Sequence, residues 1–175
     1  MKKLIAIAVV AILSLTALVA CGGGNGSPTA CAEAAVKAEL SYDMGAVVDL
    51  VPDYLLDKIA SSFGLSAGAS RSDIIKAGND YIDAWKELAG DEWEEPSFSG
   101  VSSELVEEIK KGDEGFDSKL ESYISSLPSS AEGKFDKEKV ESFAKVKVTA
   151  TVDGKEDSET IDVIKYDGGW YMPTA

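Results

Sequence analysis

The chain has 175 residues, 17 Lys+Arg against 31 Asp+Glu, no histidine and a formal net charge of −14. That acidity argues against a nucleic-acid backbone as partner, which needs a basic stripe to displace counterions. The absence of histidine excludes Ser-His-Asp and Cys-His catalysis and any histidine-ligated metal.

Residues 1–20 hold two basic residues, Lys2 and Lys3, and no acid. From Leu4 to Ala20 only Ser14 and Thr16 interrupt an apolar run. A charged start, an apolar core and small residues at the end make a secretory leader. As a helix the run spans roughly 25 Å, short of a ~30 Å hydrocarbon core, which favours a cleaved leader over a permanent anchor. Leu18-Val19-Ala20-Cys21 resembles the lipobox of bacterial lipoproteins. The resemblance implies that Cys21 receives a diacylglyceryl thioether and becomes the first residue of the mature chain. Two or more acyl chains then hold it stably on the extracytoplasmic side of a cell membrane. Residues 21–29 read as a flexible glycine-rich tether reaching roughly 15 Å, and residues 30–175 as one α+β domain.

Cys31, the other cysteine, reads as a small buried apolar residue on a helix. A Cys21–Cys31 disulfide would require Cys21 to escape lipidation. An intermolecular thiol pairing is the third option.

Ser27-Pro28 is a helix start. Ala30 to Met44 reads as a helix broken by Gly45. Ala46 to Phe63 reads as one or two shorter helices around Pro52. Ser70-Arg71-Ser72-Asp73 resembles a capping box, and the helix behind it carries Ile74, Ile75, Gly78, Tyr81, Ile82, Trp85 and Leu88 at three- and four-residue steps. Asp91 to Pro96 is an acidic loop. Ser97 to Val101 reads as a short strand, and Glu104 to Ile109 and Phe116 to Leu127 as helices. The period then becomes two: Val146, Val148, Ala150 and Val152 point one way, Lys145, Lys147, Thr149 and Thr151 the other. Asp153-Gly154 is a hairpin turn signal. Glu159 to Tyr166 returns, and Asp167-Gly168-Gly169 turns into Trp170-Tyr171-Met172. The expected architecture is N-terminal helices packed on a curved antiparallel sheet with one covered and one wet face.

That order, ending in Lys165-Tyr166-Asp167-Gly168-Gly169-Trp170-Tyr171, resembles the cone-shaped nuclear-transport-factor-two-like superfamily, and within it small bacterial lipoproteins. The resemblance implies a pocket between helices and sheet, which Tyr81, Trp85, Trp170 and Tyr171 could line. Trp170 and Tyr171 face opposite sides, so at most one looks inward. The competing reading is that these aromatics fill the core. Enzymes of the superfamily place an Asp base or a Tyr/Asp donor pair in the cone, but no position here matches such a motif.

Asp49, Asp53 and Asp57 recur every four residues. On one continuous helix they would form a carboxylate row fit for a divalent cation, unless Pro52 breaks it. A solvated acidic face is the simpler reading, as it is for Asp91, Glu92, Glu94 and Glu95. No catalytic residue, metal site or cofactor is expected. The sequence therefore points to a lipid-anchored binding or interaction module for a small ligand or an envelope protein. The rival readings are a dehydratase- or isomerase-type enzyme and a structural envelope component.

Overall fold

The protein, described here as a computed structural model, has residues 26–171 and 173 described. The leader, Cys21, most of the tether and Met172 lie outside the described residues.

The chain runs as helices α1 (Pro28–Leu40), α2 (Met44–Asp49), α3 (Leu56–Ser62) and α4 (Arg71–Ala89), strand β1 (Phe98–Lys110), helix α5 (Phe116–Ser126), and strands β2 (Val140–Val152), β3 (Lys155–Tyr166) and β4 (Gly169–Tyr171). Short 3-10 turns precede α3 and β2 and follow α4 and α5. The architecture is α+β, with helices and an open antiparallel sheet in the order β1-β2-β3-β4.

Three helix starts, those of α1, α2 and α4, are capped by a side chain. The Ser27 hydroxyl accepts the Ala30 amide at 3.1 Å and Pro28 occupies the first turn. The last two residues assigned to the tether are thus the first turn of α1. The helix stops at Leu40, four residues before the expected Met44, because Tyr42 turns into the left-handed region (φ 54°). Asp43 then caps α2 by accepting the Ala46 amide. Gly45, expected to break a helix, lies inside one. Ser70 and Asp73 form the expected reciprocal capping box of α4.

One expectation fails outright. Glu104 to Ile109 is not a helix, and Ser97 to Val101 is not a separate short strand: both belong to β1. Its register against β2 shifts between Ser99 and Ser102 and again between Leu105 and Glu107. These irregularities break the two-residue alternation. Leu105, Val106 and Ile109 are left at one- and three-residue steps that read as a helical turn.

The β2–β3 and β3–β4 hairpins close through Asp153-Gly154 and Asp167-Gly168. All four residues have positive φ, as a two-residue turn matched to strand twist demands. On one face, Ala144, Val146, Val148, Ala150, Ile161, Val163 and Trp170 pack against Cys31, Ala32, Ala35, Val36 and Ala38 of α1. The small side chains let the helix approach the sheet closely. Cys31 is buried as expected, but it is disulfide-bonded, which corrects its reading as a simple apolar residue.

The opposite face was expected to be wet. At one end it is covered: Val140, Phe143, Ile164 and Tyr166 pack with Val48, Val51, Tyr54, Leu55, Ile59 and Ile74 from the helical block and with Phe116 and Tyr123 from α5. Burying each large side chain stabilises the fold by roughly 1.5–3 kcal/mol. Only toward the Asp153 turn do Lys145, Lys147 and Thr149 meet solvent.

Candidate functional site

Five chain segments converge beside the β3–β4 turn and line an open cleft of about 500 Å³. The end of α2 brings Asp49. The segment leading to α3 brings Val51, Pro52, Asp53 and Tyr54. Arg71 comes from the first turn of α4, and Lys134 and Lys139 from the segment before β2. Tyr166, Asp167 and Tyr171 come from the hairpin.

The hairpin is placed by the backbone. Asp167 donates its amide to the Lys139 carbonyl at 2.9 Å, and Gly168 donates to the Glu141 carboxylate at 2.9 Å. Glu141 also pairs with Lys165 at 2.6 Å, and this ion pair holds its carboxyl below the usual range. Tyr171 folds back over Gly169 so closely that a Cβ there would stand 2.8 Å from its hydroxyl.

The floor is aromatic. Tyr166 stacks on Phe135 (centroids 5.5 Å, 22° apart), and Tyr54 meets both edge-on. The Tyr54 and Tyr123 hydroxyls bond at 2.8 Å. Burial pushes the Tyr54 phenol far above its ordinary range and the Tyr123 phenol up to about 12. Both therefore stay protonated, and the Tyr54 hydroxyl is engaged in the core.

The rim is charged and paired. Arg71 donates to the carbonyls of Val48 and Val51 and to Asp53. It thereby caps the C-terminal end of α2. Lys139 pairs with Asp167 at 2.7 Å, and Lys134 with Asp57. Among the lining side chains three cations face three carboxylates, Asp49, Asp53 and Asp167.

Of the aromatics proposed from sequence, Tyr171 lines the cleft and the other three lie elsewhere. Tyr81 and Trp85 touch each other on the exposed side of α4 (centroids 6.1 Å), with Tyr81 39% exposed. Trp170 is buried against α1 in the core of the other sheet face. The structure does not bring the three together, and none of them lines the cleft. The alternation argument holds: Trp170 faces the α1 core and its neighbour Tyr171 faces the cleft. Tyr171 was visible in the same motif; Arg71, Lys134 and Lys139 are scattered singly and carried no sequence signal.

The Asp49, Asp53 and Asp57 row is split over α2, the 3-10 turn at Asp53–Leu55 and α3. Asp53 pairs with Arg71, and Asp57 binds Lys134 and the Gly68 amide. Among the described residues no group of acids is arranged to hold a metal ion. Within the acidic loop, Glu95 reaches Lys86 at 3.5 Å, and Trp93 packs on Tyr42 (5.4 Å) with the Lys86 ammonium 5.7 Å from its ring. The loop is pinned by its aromatic residue rather than simply solvated.

No protein-family model, curated protein or solved structure matches this chain.

Proposed function

We propose that the chain is an extracytoplasmic lipoprotein whose body is a binding module. The observation that carries this is Leu18-Val19-Ala20-Cys21 at the end of an apolar leader, with glycines following and a folded body starting at Pro28. Cleavage before Cys21 and acylation of its sulfur leave the acidic body on a short tether. Among the described residues no helix is long and apolar enough to cross a membrane; on this reading the lipid does the holding. The antiparallel sheet with α1 across one face supports assigning the body to the cone-like class. The Tyr166–Tyr171 cleft supports the binding role, because it is concave, aromatic-floored and rimmed by convergent polar groups.

A dehydratase or isomerase would need a titratable group free to move a proton in the cleft. Tyr54 lines it with its hydroxyl bonded to Tyr123, Asp53 and Asp167 are held in ion pairs, and the remaining carboxylate, Asp49, is exposed at the rim, so binding is the better reading. Metabolic labelling with a radioactive fatty acid tests the anchor. Label in the wild-type chain and none in Cys21→Ala, with release of that variant from the membrane, is expected. A wild-type chain without label refutes it.

A further inference from the structure

We infer that the cleft beside the β3–β4 turn takes a small neutral polyhydroxylated ligand of saccharide size; this rests on the binding role proposed above. Its volume of about 500 Å³ falls in the range of small-molecule sites, roughly 300–1,000 Å³.

The charges decide the class. The chain is strongly acidic, yet the cleft brings equal numbers of cations and carboxylates together, and its cations are already matched: Arg71 with Asp53 at 2.8 Å, Lys139 with Asp167 at 2.7 Å, Lys134 with Asp57. An anion would have to displace one of these carboxylates or sit beside it. A cation would find Asp49 as the one lining carboxylate outside an ion pair, exposed at the rim, and would sit among three positive groups. A neutral ligand disturbs no pair.

The pairs remain good hydrogen-bonding groups. A carboxylate has about four lone-pair positions and a lysine three donors, and each pair here is monodentate. Both donors and acceptors therefore stay available at the rim, which suits hydroxyls because each hydroxyl both gives and accepts. The Tyr171 ring, half-buried at the wall, supplies an apolar surface. A sugar ring has the matching form, with hydroxyls around its edge and C–H groups on its face.

The test uses the full chain in detergent, melted in the presence of glucose, galactose, N-acetylglucosamine or cellobiose, with glycine betaine and inorganic phosphate as zwitterionic and anionic probes. A saturable rise in melting temperature with at least one sugar and with neither charged probe is expected. Tyr171→Ala should weaken that binding by about tenfold or more. Asp49→Asn, which alters an exposed rim carboxylate, should weaken it by severalfold while leaving the unliganded melting temperature in place. No response to any sugar, a response to betaine or phosphate instead, or sugar binding unchanged in both variants overturns the inference. Fatty-acid labelling at Cys21 is read separately, so loss of the ligand and loss of the anchor are distinguishable.

Discussion

The hydroxyls of Tyr54 and Tyr123 are 2.8 Å apart in the core, although the residues are 69 positions apart in sequence. The bond ties the helical block to α5 beneath the cleft. Both side chains are at most 5% exposed, so removing either oxygen leaves the other without its partner. Tyr54→Phe and Tyr123→Phe should each cost about 1–3 kcal/mol of stability. The double Phe variant should be less destabilised than the sum of the two singles, since no orphaned hydroxyl remains. Urea unfolding of all four chains measures this, and strict additivity would refute the coupling.

Stability should fall as pH rises from about 4.5 to 7. Burial, reinforced by the Glu159 carboxylate across on β3, pushes the Glu39 carboxyl up to about 7. Tyr42 also lies beside Glu39, with Glu95 and Asp153 near that ring. A raised folded pKa means that the folded chain binds the proton more tightly than the unfolded chain does. The cost of ionising Glu39 is therefore absent below the unfolded value and fully present above the folded one. It is on the order of 3 kcal/mol. Glu39→Gln should raise the unfolding free energy at pH 8 and change it little near pH 4.5. Glu33, Asp57, Asp73 and Glu141 have lowered pKa values through hydrogen bonds from Ser103, Lys134, Ser70 and Lys165 respectively. Their stabilisation is lost as pH falls through those values, so a stability maximum is expected in the mildly acidic range.

Arg71 acts more through carbonyls than through its ion pair. Its guanidinium reaches Val48, Val51 and Asp53, whereas the Asp53 side chain is 89% exposed. Exposed pairs contribute little, but hydrogen bonds from a charged donor to half-buried carbonyls contribute more. A lysine cannot serve three acceptors from one planar fork. Arg71→Lys should cost about 1–3 kcal/mol and Asp53→Ala less than about 1 kcal/mol. Equal losses in denaturant midpoint would show that the ion pair dominates.

The β2–β3–β4 meander was legible because its signals are local and redundant. Alternating Val146, Val148 and Ala150 fix the buried face, and Asp153-Gly154 and Asp167-Gly168 supply residues that tolerate positive φ. The capping box at Ser70 was legible for the same reason. β1 was not, because its bulges disturb the period that identifies a strand, and because much of it is exposed at the sheet edge, Leu105 and Val106 included. Leu88, placed on the apolar stripe of α4, is 78% exposed; the stripe ends before the helix does. The cleft was largely illegible. Its cations come from three separated places, and nothing in the spacing of Arg71, Lys134 and Lys139 announces that the chain will gather them around Tyr166 and Tyr171.

The most direct measurement is the mass of the N-terminal peptide of the mature protein, isolated from membranes of the organism that makes it. The lipoprotein reading predicts a chain that begins at Cys21 and carries a diacylglyceryl group on its sulfur. A Cys21–Cys31 disulfide-linked peptide without lipid, or a chain still beginning at Met1, would contradict the account.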